Sequence, residues 1–510
     1  MENRLNMDTK HLIGQKLVAG FAGQQMPEDF KQKVAEYKIG NVILFANNVQ
    51  NEVQLTRLCR EIHDYVLEQT GQIPFLTIDQ EGGCVTRLSE DFAVVPGAMQ
   101  ISGTGDPHKA YLAGRITAAE LRRCGVNFDL APVADVNSNP QNPVIGVRSY
   151  GDTPQQTADY AVQMAKGLMD GGVLACAKHF PGHGDTAVDS HIGLPMVDKS
   201  LPQLKACELV PFRALIDSGI SGIMTTHILF PQLEPDGLPA TMSRRILTDL
   251  LRGELGFKGL ILTDCMMMGA IAQHYGTVEG GVKAFAAGVD LVFTSHDIHL
   301  SCDIAERMYQ KLERGEIDRA VIEESVARIL RYKQWLTQQP AAPVTDGKAQ
   351  ADEMYRQSLA ALHAPVALQN PIAIACHPFV TTLASSPQNK DINFARSLGE
   401  SLGCDYIVNG IEPDEAEIAA ILARARQHGS IVFASYNGHV KQAQCRLGKA
   451  LAQLGLPMVW AAMRNPYDLK DLPKEVYGIC AFEYTGRSIQ AVTDVLQGRL
   501  VPQGRLSVTL

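Results

Sequence analysis

The chain has 510 residues, more than one ordinary domain, with 45% hydrophobic residues, 20% charged residues and a formal net charge of −9. That leaves room for a barrel of roughly 250–350 residues and a smaller partner. Mild acidity without a Lys/Arg block excludes an electrostatic footprint for nucleic acid or for an anionic membrane surface. No apolar stretch approaches the roughly 18 residues of a membrane span, and the N-terminal MENRLNMDTKHLIGQ lacks the apolar core of a signal peptide. The 11 cysteines are odd in number and form no C-x-x-C pair, so they read as reduced thiols and the expected compartment is the cytoplasm.

In chain order, short apolar runs alternate with helical stretches. Strands are expected at 16–21, 41–45, 74–79, 127–132, 174–179, 222–227, 259–264 and 290–294, with helices such as 106–124, 155–170 and 278–287 between them. Eight such units predict an α/β fold, an N-terminal (β/α)8 TIM-like barrel rather than a doubly wound sheet, over residues 1–337. The segment 338–365 opens with the Pro/Ala-rich QQPAAPVTDGKAQA and reads as a linker. Further αβ units follow, with strands at 372–376, 405–408, 430–434 and 458–462, so 366–510 is expected to be a smaller α/β sandwich domain. Whether that domain buttresses the barrel or meets substrate stays open.

Reactive groups in such a barrel belong at the C-terminal ends of the strands. Asp79, Asp135, Lys178, His179, Thr226, His227 and Asp264 fall there. In the run KHFPGHGDTAVDSHIGLP, residues 178–195, Gly and Pro forbid a regular helix. Asp189 and His191 stand two apart, so in extended backbone their side chains point the same way. Such a pair suits an acid/base histidine whose tautomer is held by a carboxylate, or equally a hydrogen bond that stabilises the loop. Asp264 ends an apolar strand in LILTDCMMMG and is compatible with a nucleophile, a metal ligand or a helix N-cap; Met266, Met267 and Met268 read as packing residues.

His179, His183, Asp185, Asp189 and His191 contain enough donors for a metal, but no H-E-x-x-H occurs and the first strand ends in Gly20-Phe21-Ala22-Gly23 without paired histidines. Gly82-Gly83 belongs to no phosphate-binding loop. Neither metal nor cofactor is expected.

The run KHFPGHGDTAVDSH, with IDQEGG, VRSYG and LTDCMMMGAI, resembles glycoside hydrolase family 3, and within it the two-domain branch of the bacterial β-N-acetylglucosaminidases of the NagZ type. The likeness continues through MRNPYDL, FEYT and VPQGRLSVTL in the second domain. It implies a retaining, exo-acting enzyme that removes terminal β-linked N-acetylglucosamine from cell-wall or chitin fragments, as in peptidoglycan recycling. By position, Asp264 would be the nucleophile, His191 the acid/base and Asp189 its orienting carboxylate, while Asp79, Arg87, Arg148, Lys178 and His179 would grip the terminal sugar. Two positions depart from the pattern: Cys84 stands where the family commonly has Arg, and Cys265 where an acidic residue often follows the nucleophile.

The expected partner is a small carbohydrate, an N-acetylglucosamine-containing saccharide or muropeptide; the residues do not specify an oligomeric state. One alternative uses the same residues: phosphorolysis, in which phosphate resolves the glycosyl-enzyme. An imidazole, unlike a carboxylate base, does not repel an incoming phosphate.

Overall fold

The eight predicted strands close into one parallel barrel in chain order. They are β1 Leu17–Ala19, β2 Asn41–Leu44, β3 Phe75–Ile78, β4 Phe128–Asp129, β5 Leu174–Phe180, β6 Gly222–Thr225, β7 Leu260–Cys265 and β8 Leu291–Thr294. The computed structural model describes residues 7–187, 193–340, 347–379, 384–385 and 392–510.

The strands are short and apolar because both faces are buried, one against the helices and one inside the barrel. Val18, Ile43, Phe75, Phe128, Leu174, Leu260, Leu262, Leu291 and Phe293 fill the interior as a packed core. Helix Arg319–Thr337 closes the N-terminal end, adding Ile329 to that core, with Tyr332, Trp335 and Leu336 packed against it. At this end the buried Lys333 donates to Gln15 Oε1 at 2.6 Å and to the Gly40 carbonyl at 3.1 Å. Burial without a carboxylate among those partners pushes its pKa far below the usual lysine range. The opposite, C-terminal end is left for the site.

The second sheet has six strands in the order β11-β10-β12-β13-β14-β9. These are β9 Ala360–Leu362, β10 Pro371–Cys376, β11 Asp405–Asn409, β12 Ser430–Ser435, β13 Met458–Ala462 and β14 Val476–Cys480. All pair in parallel except β9, which runs antiparallel to β14. Two strands, β9 and β14, go beyond the sequence expectation, and the segment 338–365 contributes helix Lys348–Gln357 as well as β9.

Polar contacts tie this sheet to the barrel. Gln100 Nε2 donates to Ser358 Oγ at 3.0 Å, Asn137 Nδ2 to the Tyr467 hydroxyl at 3.0 Å, and Ser507 Oγ to the Met99 carbonyl at 2.8 Å. Gly83 of the barrel, at φ +54°, meets Glu483 of the second domain so closely that a Cβ there would lie 2.1 Å from Glu483 Oε1. Only glycine fits a left-handed residue in that contact. Among the described residues no helix is long and apolar enough to cross a membrane, and all eleven cysteines are unpaired.

Candidate active site

A cleft of about 320 Å³ opens at the C-terminal end of the barrel. It is lined by Asp79, Arg87, Arg148, Lys178, His179 and Asp264, so six of the eight residues singled out from the sequence converge on one cavity. The other two, Asp189 and His191, lie outside the described residues.

The strand ends explain the convergence. Asp79 follows β3, Lys178 and His179 fall in the last turn of pleat of β5, and Asp264 is the penultimate residue of β7. Arg148 arrives on a short 3-10 turn, Gly146–Arg148.

The cleft floor is an ion-pair network. Lys178 Nζ lies 2.7 Å from Asp79 Oδ1 and 2.7 Å from Glu81 Oε1. Glu81 also accepts from Arg148 Nε at 2.8 Å and from its Nη2 at 2.7 Å, a bidentate fork. Burial alone would raise the Glu81 carboxyl, but Arg148 and Lys178 outweigh it and hold the group below the ordinary carboxylate range. Burial likewise pulls Lys178 down while Asp79 and Glu81 pull it up, and the net shift is upward. Glu81 and Lys178 are therefore both charged at neutral pH, with one Lys178 N–H beyond the two carboxylates left to bond elsewhere. Arg87 Nη2 stands 3.9 Å from Asp79 Oδ2 and donates to the carbonyl of Ala384 at 3.1 Å. Ala384 belongs to the second domain and also lines the cleft, so that domain reaches the site.

Behind this floor Asp135 organises β5. It accepts from the backbone N–H groups of His179 and His183, and its Oδ2 lies 2.7 Å from His179 Nδ1. Its burial would raise its pKa, yet the two imidazoles and the N–H donors leave it lowered. The carboxylate fixes the ring so that Nδ1 carries a proton and Nε2 is the nitrogen left for the cleft. His183 lines the cleft too, and burial together with nearby His179 pushes its pKa down to about 4, so it is neutral at pH 7.

Asp264 is half-buried at the mouth of β7, with one carboxylate oxygen 2.7 Å from the N–H of Cys265. The helix that follows is Gly269–Ala272, and its N-cap is Met268, so Asp264 does not occupy the cap position. Met266 is buried in the core, whereas Met267 and Met268 line the cleft and supply its apolar side. Among the described residues no group of three or more His, Cys, Asp or Glu side chains is arranged to hold a metal ion.

Sequence reasoning missed Glu81, which is adjacent to the expected Asp79 in IDQEGG. Its partners Arg148 and Lys178 are distant in the chain, and only the barrel brings them together. It also missed the contribution of Ala384.

The glycosyl hydrolase family 3 N-terminal domain matches residues 8–332, well over half of the chain. The chain belongs to glycosyl hydrolase family 3. The β-hexosaminidase A of Pseudoalteromonas piscicida is 35% identical over 375 residues, which span 66% of this chain and 62% of that protein, less than two thirds of its length. Among solved structures of the family, the β-N-acetylglucosaminidase from Paenibacillus sp. str. FPU-7 superposes with a TM-score of 0.91 at 35% identity, covering 99% of both chains. NagZ from Neisseria gonorrhoeae, in complex with N-trifluoroacetyl-D-glucosamine, superposes at a TM-score of 0.55 and 31% identity. That match covers 66% of this chain and 96% of NagZ.

Proposed function

We propose that the protein removes terminal β-linked N-acetylglucosamine from small saccharides such as cell-wall or chitin fragments, by hydrolysis with retention of configuration. The reading rests on one observation above the others: Asp264 lines the same cleft as Asp79, Arg87, Arg148, Lys178 and His179. A carboxylate at a strand end, facing a floor of charged hydrogen-bonding groups, suits attack on an anomeric carbon while sugar hydroxyls are held. Family membership and the likeness to a β-N-acetylglucosaminidase over the whole chain support the substrate.

In the first step an Asp264 oxygen forms a bond to the anomeric carbon as the glycosidic bond breaks, and His191 gives its proton to the leaving oxygen. In the second, His191 takes a proton from water, the water oxygen bonds to the anomeric carbon, and the Asp264 ester bond breaks. Asp189 orients His191 and favours its charged form. A His–Asp pair thus replaces the second carboxylate of the usual retaining scheme. The free thiols, most of them buried, fit a reducing compartment, and we place the enzyme in the cytoplasm.

The test is incubation with an aryl β-N-acetylglucosaminide, with and without millimolar phosphate, followed by product identification. Free N-acetylglucosamine at a phosphate-independent rate is expected. N-acetylglucosamine 1-phosphate with phosphate acceleration would replace hydrolysis by phosphorolysis, and no cleavage would overturn the substrate assignment.

A further inference from the structure

Arg87, one of the residues expected to grip the terminal sugar, stands on neither a strand nor a helix. Strand β3 ends at Ile78, and the next helix begins at Ala98. Between them the chain turns back at Gly82 and Gly83, which take φ +88° and +54°, and the Val85 N–H donates to the Gly82 carbonyl at 3.1 Å. That turn brings residues 86–88 back alongside Gln80.

Gln80 fastens this loop. It is 1% exposed, and its amide oxygen accepts from the backbone N–H of Arg87 at 2.8 Å and of Leu88 at 3.3 Å. Its amide nitrogen donates to Thr86 Oγ1 at 2.8 Å. Two backbone N–H groups facing one end of the amide settle which end is the oxygen. The main chain of Gln80 is held too, its N–H donating to Asp129 Oδ1 at 3.0 Å at the end of β4. One buried side chain thus joins the barrel rim, between Asp79 and Glu81, to the three residues around Arg87.

Arg87 lines the cleft, with Nη2 3.9 Å from Asp79 Oδ2 and 3.1 Å from the Ala384 carbonyl, and its guanidinium lies 5.9 Å from the centre of the Phe45 ring. Those contacts orient the tip of a long side chain, while Gln80 sets the backbone from which it springs. A carboxylate at position 80 would stand among Asp79, Glu81 and Asp129, and the amide supplies the same acceptor without a further negative charge. An apolar residue of that size would leave two N–H groups without their acceptor, and the loop would rearrange to satisfy them.

We propose that Gln80 is the positioning residue for Arg87, and that through Arg87 it governs the affinity of the cleft for the terminal sugar. This rests on the N-acetylglucosaminidase reading above. Gln80 is not among the residues that line the cleft, so it acts through the loop it fastens. A binding group carried on a loop keeps its geometry only where supporting hydrogen bonds lock the backbone beneath it. Losing that support weakens the hold on the sugar in ground state and transition state alike, so the effect falls on KM.

The experiment is a double-mutant cycle on an aryl β-N-acetylglucosaminide, with Gln80→Met, Arg87→Met and the two combined. Gln80→Met is expected to raise KM about tenfold with kcat within about threefold of native. The combined variant is expected to be no worse than Arg87→Met alone. Losses that multiply in the combined variant overturn the proposal, as do native KM and kcat in Gln80→Met. So does a lower kcat at unchanged KM, the mark of a smaller folded fraction. Hydrogen exchange on the native protein needs no variant to fold. The Arg87 and Leu88 amides should be protected like those of the barrel strands, and exchange at the rate of an open loop overturns the proposal. No cleavage by the native protein removes the N-acetylglucosaminidase reading and the role of Gln80 with it; cleavage with multiplying losses removes the role of Gln80 alone.

Discussion

His227 Nε2 lies 3.0 Å from the carbonyl oxygen of Cys265, the residue that follows Asp264. A carbonyl only accepts, so the ring carries its proton on Nε2, and Nδ1 meets Thr241 Oγ1 at 2.8 Å. The imidazole after β6 thereby pins the end of β7, where the proposed nucleophile projects. The His227 side chain is buried and does not line the cleft, whereas Cys265 does, so the contact ties the cleft wall at the end of β7 to β6.

Removing that pin is expected to misplace Asp264 without emptying the cleft. His227→Ala should lower kcat about 10- to 100-fold while KM changes little, because small displacements of a reacting group are costly. Steady-state kinetics on an aryl β-N-acetylglucosaminide check this. A KM effect with unchanged kcat would place His227 in substrate binding instead.

Glu81→Gln removes the charge that Arg148 and Lys178 share. Two buried cations are then left with one partner fewer, a loss of about 3–5 kcal/mol for a broken buried pair. Chemical denaturation of the variant against the native protein measures it. The pH dependence has a definite sign. The folded-state pKa of Glu81 is lowered, so its contribution is present above the unfolded value near 4.5 and is lost as pH falls below that. The native protein should lose stability on that acid limb, and the variant should lose less.

Glu483 predicts the opposite behaviour. Its pKa is raised to about 7 by burial, so its charged form is disfavoured in the fold. Stability from this group is present below about 4.5 and is lost as pH rises to about 7. Glu483→Gln keeps an acceptor for the Gly97 N–H and avoids that loss. Thermal melts at pH 5 and pH 8 should show the variant gaining on the native protein at the higher pH, by about 3 kcal/mol at most. An equal difference at both values would contradict the assignment.

The acid/base role is tested by leaving-group chemistry. His191→Ala should slow cleavage of poor leaving groups by about 10²–10⁴-fold while activated aryl glycosides lose far less, since only the former need a proton. Equal losses on both would give His191 another function.

The barrel was legible because its strands are buried on both faces and read as unbroken apolar runs, such as the LIL that opens β7. Strand β9 was not legible: it has three residues, Ala360–Leu362, and one of them is exposed. Strand β14 contains Gly478, which breaks the β-branched pattern and marks a close approach to Leu362 and Leu472. In the site, charged residues at strand ends were visible one by one. Their pairing was not, because Glu81 meets Arg148 and Lys178 only through the closure of the barrel.

The central claim is that Asp264 carries the sugar between the two steps, and trapping tests it most directly. A 5-fluoro N-acetylglucosaminyl donor with an activated leaving group should accumulate a covalent adduct, and peptide mass spectrometry should place it on Asp264, with Asp264→Ala unlabelled and at least about 10⁴-fold less active. An adduct on another side chain, or equal labelling of the variant, would contradict the account.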